Sequence, residues 1–254
     1  MTKSTIPYIR KKMIRVFRHI LYSFLYGNNI SSLAKAFGSD KEGGHFYAKH
    51  YQSHFQSLRL KKINLLEIGV GGYEDPKQGG ESLRMWKAFF RRGNIFGVDI
   101  YDKTYHNEKR ITTFKGSQVD SDFLKKIKEE MGTVDIIIDD GSHFNDHVIT
   151  TFKILFPLLG PNGIYVIEDL QTSYWGRFSD DVTENASMHV EPLTSMNFLK
   201  LLVDGLNYEE FMVDGYTPTY FDENITSIHF YHNLVFIYKG KNNEGSNYFG
   251  KRFS

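Results

Sequence analysis

Between residues 63 and 167 the chain alternates short, wholly apolar runs with stretches of helical spacing, and this rhythm narrows the fold more than any other feature. The apolar runs are Ile63–Ile68, Ile95–Ile100, a weaker Ile111–Phe114, Val134–Ile138 and Ile164–Ile167. Between them Leu83–Phe90, Asp120–Met131 (entered through Ser121 and Asp122) and Asn145–Leu159 (closed by Gly160-Pro161) read as helices. Strands without a polar face are buried on both sides, so the pattern predicts a parallel sheet covered by helices on both faces. Near the C-terminus Ile225–Tyr231 and Leu234–Tyr238 are separated only by His232-Asn233. A link that short demands an antiparallel hairpin, placed here at the sheet's end. The expected fold class is therefore α/β: a Rossmann-like, doubly wound, mostly parallel seven-stranded sheet with a C-terminal antiparallel hairpin. A further helix is expected near Pro192–Leu206, after an irregular stretch at 170–190.

In such a sheet the ligand lies outside the carboxyl ends of the strands. Those ends carry Glu67 with Gly69, Asp99, Asp139-Asp140 and Glu168-Asp169. One acid closing a strand is ordinary punctuation, but four on one edge predict a site. Glu67-Ile68-Gly69-Val70-Gly71-Gly72 is a glycine turn directly after the first strand, letting the backbone approach a ligand without a Cβ in the way. A dinucleotide fingerprint needs Gly or Ala at position 74, where the sequence has Glu74. A carboxylate is a poor neighbour for pyrophosphate, so the turn suits a nucleoside cofactor without phosphates; the bland alternative is a structural βα turn. Asp99 is placed to accept from ribose hydroxyls.

Asp140, Glu168 and Asp169 end neighbouring strands and can converge on one ion. Oxygen donors without Cys favour Mg²⁺, with Ca²⁺ or Mn²⁺ as alternatives, over zinc. His143 lies three residues after Asp140 on the same loop, positioned to take a proton from a hydroxyl. His147, one turn further, reads as part of the following helix. Tyr174 and Trp175, after the last metal strand, either stack on a substrate ring or pack a lid.

The formal net charge of +1 hides a split. Residues 1–39 hold seven bases and no acid, leaving 24 bases against 30 acids in the rest. Nothing here resembles a strongly basic nucleic-acid binder, and zero cysteines exclude disulfides and thiolate sites. Residues 8–26 place Ile9, Met13, Val16, Phe17, Ile20, Leu21 and Phe24 at helical spacing, with Arg10, Lys11, Arg15 and Arg18 mainly on other faces. This basic amphipathic helix docks on its own domain or a neighbouring subunit, or lies on an anionic membrane. Residues 37–55 follow as a Gly-rich turn dense in His and aromatics, read as a lid or as ring packing. The expected organisation is a helical extension over 1–36, one catalytic domain over 37–240 and a polar tail over 241–254. No apolar run is long enough to span a bilayer, and Arg15, Arg18 and His19 interrupt any signal-like stretch, so a cytoplasmic protein is expected, with or without peripheral contact with the inner membrane face.

The strings LLEIGVGGYEDPKQGGESLRMWKAFF, NIFGVDIYDK, DIIIDDGSH and GIYVIEDLQTSYW together resemble the metal-dependent sugar O-methyltransferases that act on macrolide antibiotics, of the mycinamicin 2''-O-methyltransferase type. The likeness runs from about Phe37 to about Gly240. It implies a class I S-adenosylmethionine fold with Mg²⁺ at Asp140, Glu168 and Asp169, and His143 as general base. It implies cofactor contacts from Glu67, Gly69 and Asp99, with Gln118 and Asp139 as further members beside the Gly71 turn. It also implies a homo-oligomer whose N-terminal segments help to close the active site. The expected function is methyl transfer to a sugar hydroxyl, with the metal chelating the acceptor diol. For the acceptor, the basic helix and the Lys-, Asn- and Phe-rich composition point to a bacterial surface-polysaccharide or nucleotide-activated sugar, with a macrolide-linked sugar as the alternative. Two other readings stand beside it: a catechol-type small-molecule O-methyltransferase, and a non-catalytic membrane- or complex-associated protein on the same fold.

Overall fold

A computed structural model describes residue 17, residues 20–176 and residues 194–247. Seven strands form one sheet; numbered along the chain, they lie in the spatial order third, second, first, fourth, fifth, seventh, sixth. The chain divides into two units, Met1–Leu65 with Val70–Lys115, and Leu66–Gly69 with Gly116–Ser254.

The N-terminal unit holds α1 (residues 20–26), α2 (Ile30–Phe37), α3 (Ala48–Phe55), the start of β1 (Asn64–Ile68), α4 (Glu81–Phe89), β2 (Asn94–Asp99) and β3 (Ile111–Lys115). Asn29 caps α2 by accepting from Ser32 N–H at 2.7 Å, and Gly38 ends it in the left-handed region. β2 and β3 pair in parallel, Ile95 opposite Ile111. The His- and ring-rich segment resolves as packing: Tyr51 and Phe55 are fully buried, with ring centroids 4.9 and 5.8 Å from that of Trp86 on α4. Truncating a ring in such a cluster costs about 3–5 kcal/mol.

In the C-terminal unit the end of β1 is followed by α5 (Ser121–Met131), β4 (Val134–Asp139), α6 (Asn145–Leu158), β5 (Leu159–Ile167), α7 (Ser195–Gly205), α8 (Tyr220–Asn224), β6 (Ile225–Tyr231) and β7 (Leu234–Lys239). Asp120, one residue earlier than expected, caps α5 through Asp122 and Phe123 N–H. α6 stops at Leu158. Gly160-Pro161 does not follow it as a loop but lies inside β5, because Leu159 already has extended backbone and pairs with Val134 across a register shift. Lys239 takes over the end of α6, its Nζ donating to the carbonyls of Phe156, Pro157 and Leu159 at 3.1, 2.8 and 2.6 Å. The hairpin forms as expected. β7, not β6, pairs antiparallel with β5, and Asn233 turns the chain with φ 61°. α7 is capped by Thr194; the expected start at Pro192 lies outside the described residues, as do 177–191.

No helix among the described residues is long and apolar enough to cross a membrane.

Candidate functional site

Most of the expected site residues fall in the C-terminal unit. β4 and β5 run parallel with Asp139 opposite Ile167, so the acids that follow each strand emerge at one level. The ladder continues one rung past the strands: Glu168 N–H donates to Asp139 O and Asp140 N–H to Ile68 O, both at 3.0 Å. Backbone pairing thus fixes the main chain at Asp140 and Glu168. Glu67, the penultimate residue of β1, joins them from the other side.

The result is two overlapping groups of donor atoms, each within 4.8 Å of one another: Glu67, Asp140 and Glu168, and Asp140, His143 and Asp169. Asp140 belongs to both. Glu67 and Glu168 are buried, at 0% and 2% exposure, whereas Asp140, His143 and Asp169 are partly open. His143 Nε2 lies 3.9 Å from Asp140 Oδ1 and 3.8 Å from Asp169 Oδ2. Carboxylates this close and this buried repel unless a cation or protons intervene. A hard cation with oxygen ligands fits the donor set, and Mg²⁺ there would take one or two of the carboxylates and keep waters on its other positions.

Close approach explains the first glycine. Gly69 has φ 88°, and a Cβ there would run into the backbone carbonyl of Asp140. The loop Asp140-Gly141-Ser142-His143 is then pinned by Gln118. Its Oε1 accepts from Ser142 N–H at 2.8 Å, and a Cβ on Gly141 would collide with that oxygen. Its Nε2 donates to Thr151 Oγ1 on α6 at 3.0 Å and to Asp139 Oδ1 at 3.4 Å. His147, on α6 as expected, meets Ser142 Oγ through Nδ1 at 2.8 Å. Two residues of the site have left-handed backbone, His143 at φ 60° and Asp169 at φ 55°.

Asp139 is 1% exposed and accepts from Gln118 Nε2 and the Tyr165 hydroxyl. Burial, and then the charge of Asp140, push its carboxyl up to about 7. Gly141 N–H, the Tyr165 hydroxyl (3.4 Å) and Gln118 pull in the opposite direction. Tyr165 in turn is raised well above its ordinary value by burial and by Asp139.

Tyr174 ends the short turn Leu170–Tyr174 and is 42% exposed; Trp175 is 44% exposed. The turn is anchored by Ser173, whose Oγ lies 2.5 Å from Ser195 Oγ, while Asn145 Oδ1 accepts from Ser195 N–H at 2.8 Å. Leu170 N–H donates to Asn233 O, so the hairpin tip holds the residue after Asp169.

The remaining two expected residues, Gly71 and Asp99, belong to the N-terminal unit. Asp99 Oδ2 accepts from Val70 N–H at 3.0 Å and Oδ1 from Tyr101 N–H at 2.9 Å, so the carboxylate orients the glycine turn. Gly71 and Gly72 take φ 78° and 77°. The loop beyond is held by Lys103, a 1%-exposed lysine whose Nζ donates to Tyr73 O and Asp75 O at 2.6 and 2.9 Å. Sequence reasoning missed Lys103, Tyr165 and the Ser142–His147 pair. Only the second has a legible signal, a tyrosine within an otherwise aliphatic strand.

The sequence matches no family model. It is 46% identical over 219 residues to the demethylmacrocin O-methyltransferase of Streptomyces fradiae, covering 85% of this chain and 54% of that protein. It is 45% identical over 219 residues, with the same coverage, to the mycinamicin VI 2''-O-methyltransferase of Micromonospora griseorubida. A third relative is the 8-demethyl-8-alpha-L-rhamnosyl tetracenomycin-C 2'-O-methyltransferase of Streptomyces olivaceus, at 46% over 214 residues, 84% of this chain and 55% of the relative. The chain spans about half the length of the relatives it matches. Among solved structures, MycE methyltransferase from the mycinamycin pathway in complex with Mg and SAH superposes with a TM-score of 0.81 at 44% identity, covering 87% of this chain and 57% of that one. The MycE complex that also holds mycinamycin VI gives 0.77 at 45% identity, covering 85% and 55%. The fold is thereby that of a class I methyltransferase.

Proposed function

Through the domain it shares with these relatives the chain belongs to the metal-dependent sugar O-methyltransferases, and from that premise we propose that it transfers a methyl group from S-adenosylmethionine to a sugar hydroxyl with Mg²⁺ as cofactor. The observation that carries the reading is the acid cluster around Asp140 with His143 Nε2 within 4 Å of two of its carboxylates. Asp140, Glu168 and Asp169 would hold the cation, with Asp140 common to the two donor groups and Glu67 close enough to Asp140 and Glu168 to join. When bound, the cation would lower the pKa of an acceptor hydroxyl and fix its place.

The chain's own groups supply the rest. His143 Nε2, 3.9 Å from Asp140 Oδ1 and 3.8 Å from Asp169 Oδ2, takes the hydroxyl proton. Gln118 and His147 hold the loop that aims it. Tyr174 and Trp175 offer exposed rings to a sugar face. Glu67, Gly69, Gly71, Asp99, Gln118 and Asp139 are the residues proposed to serve the cofactor. Asp99 would accept from the ribose hydroxyls with the lone pairs left beside its bonds to Val70 and Tyr101 N–H, whereas Gln118 would act through the loop it pins. Residues 37–240 would form the catalytic domain, between the N-terminal extension and the 241–254 tail, in a cytoplasmic homo-oligomer.

The relatives' names favour a sugar carried on a glycosylated natural product, such as a rhamnosyl group, over the surface-polysaccharide or nucleotide sugar expected from composition. The test is incubation with labelled S-adenosylmethionine, Mg²⁺ and a panel of macrolide glycosides, rhamnosides, nucleotide sugars and catechols. Labelling of a glycoside, lost in His143→Ala while S-adenosylhomocysteine still binds, is the expected result. Labelling of catechols alone, or full turnover in His143→Ala, would overturn it.

A further inference from the structure

Within the N-terminal unit the amino ends of three strands carry a run of cations. Arg59, Lys61 and Lys62 precede β1, Arg91 and Arg92 precede β2, and Lys109 and Arg110 precede β3. Hydrogen bonds gather them on one edge. Arg91 N–H donates to Arg59 O at 3.1 Å and Ile95 N–H to Arg110 O at 2.8 Å. The Arg110 guanidinium donates to Phe90 O, Gly93 O and Lys87 O at 2.9, 2.7 and 3.0 Å. Glu108 pairs with Lys87 Nζ at 2.8 Å within this group. Burial, and next the Arg91 charge, hold Arg59 and Arg110 below the ordinary arginine value, as expected where like charges crowd.

Helix α1 lies on this edge. Arg59 Nε donates to Gly27 O at 2.6 Å and Arg91 to Ser23 O at 3.3 Å, and Tyr22 packs edge-on against Phe37. With that side turned to its own domain, the helix presents Ile20, Phe24 and Leu25 to solvent at 62, 82 and 52% exposure, and Phe17, ahead of it in the chain, is 67% exposed. A cavity of about 270 Å³ beneath it is lined by Ile20, Ser23, Phe24, Lys87, Arg91 and Arg110.

We propose that this face docks on an anionic lipid surface, with Phe17, Ile20, Phe24 and Leu25 entering the interfacial layer and the exposed Arg91 meeting a lipid phosphate. An apolar helical stripe flanked by cations is the arrangement that partitions into such an interface. The first 39 residues add seven bases and no acid to the same unit. A two-fold dimer through this face would instead set the cations against their own copies. Neither the helix nor the basic edge belongs to the proposed methyl-transfer machinery, so this inference stands or fails separately.

Flotation of the full chain with vesicles tests it. Binding to phosphatidylcholine vesicles containing about 30% phosphatidylglycerol should exceed binding to pure phosphatidylcholine by about ten-fold or more, and should fall as salt rises. Phe24→Ser, and separately the exposed pair Lys61→Glu with Lys62→Glu, should each weaken binding to anionic vesicles while melting temperature and methyl transfer in solution stay unchanged. Equal or absent binding to both vesicle types would overturn the proposal. So would self-association that Phe24→Ser abolishes in a chain that ignores vesicles, which would make the face a subunit interface.

Discussion

Replacing Gln118 with Leu separates two roles that the residue could hold. Leu keeps much of the volume but removes the oxygen that accepts from Ser142 N–H at 2.8 Å, leaving a part-buried donor without its protein partner. The Thr151 hydroxyl loses less, because it also reaches Gln118 O and His147 O. One unmade bond of this kind costs about 1–2 kcal/mol, equivalent to about 2–8 °C of melting temperature for a chain of this size. Catalysis should suffer more than stability. The loop that Gln118 pins carries Asp140 and His143, and a displacement near 1 Å at a reacting group can cost about 100-fold in rate. The assay is kcat and KM for methyl transfer beside calorimetric binding of S-adenosylhomocysteine and a thermal melt. We expect kcat to fall by about 10- to 100-fold with cofactor affinity held within about two-fold. An unchanged melt with weakened cofactor binding and intact kcat would refute the reasoning and make Gln118 a direct cofactor contact.

Three further outcomes follow from the same geometry. Gly69→Ala forces a Cβ against Asp140 O at a left-handed position, so it should cost about 1–2 kcal/mol from backbone strain alone and displace Asp140, read as a lower melting temperature and a higher Mg²⁺ requirement. Glu168→Gln removes one negative charge from a buried donor set and should weaken Mg²⁺ binding in calorimetry by about ten-fold or more, while the metal-free protein melts higher because carboxylate repulsion is relieved. Lys103→Met should take from the carbonyls of residues 73, 75 and 78 the ammonium that donates to them, lowering stability by about 2 kcal/mol and speeding amide exchange or proteolysis across that loop.

The parts of this molecule that were legible in the sequence are those set by periodicity and position. Apolar runs gave the parallel strands, the two-residue link His232-Asn233 gave the hairpin, and acids at strand ends gave the cluster, since strand polarity puts them on one edge. What stayed hidden depends on contacts distant in sequence. Gly160-Pro161 reads as a helix stop, yet pairing of Leu159 with Val134 draws both residues into β5. Gln118 and Ser142 are 24 residues apart and meet only because the loop after β3 passes beside the one after β4. Lys103 looks like an ordinary surface lysine until the loop it holds folds over it. The exposure of Phe24 beside a basic edge is likewise a property of where α1 lands, which spacing alone does not specify.

The left-handed backbone at His143 and Asp169 has a practical side for anyone who sorts variants of this protein by heat resistance. A side chain in that region costs about 1–2 kcal/mol that glycine does not. Substitution by Gly at either position should therefore survive such a sort, and even be enriched by it. Those survivors would be the inactive ones, lacking the proposed base or a carboxylate of the acid cluster. Directed evolution of this scaffold needs turnover in the selection from its first round, because melting temperature alone would steer it away from the reaction.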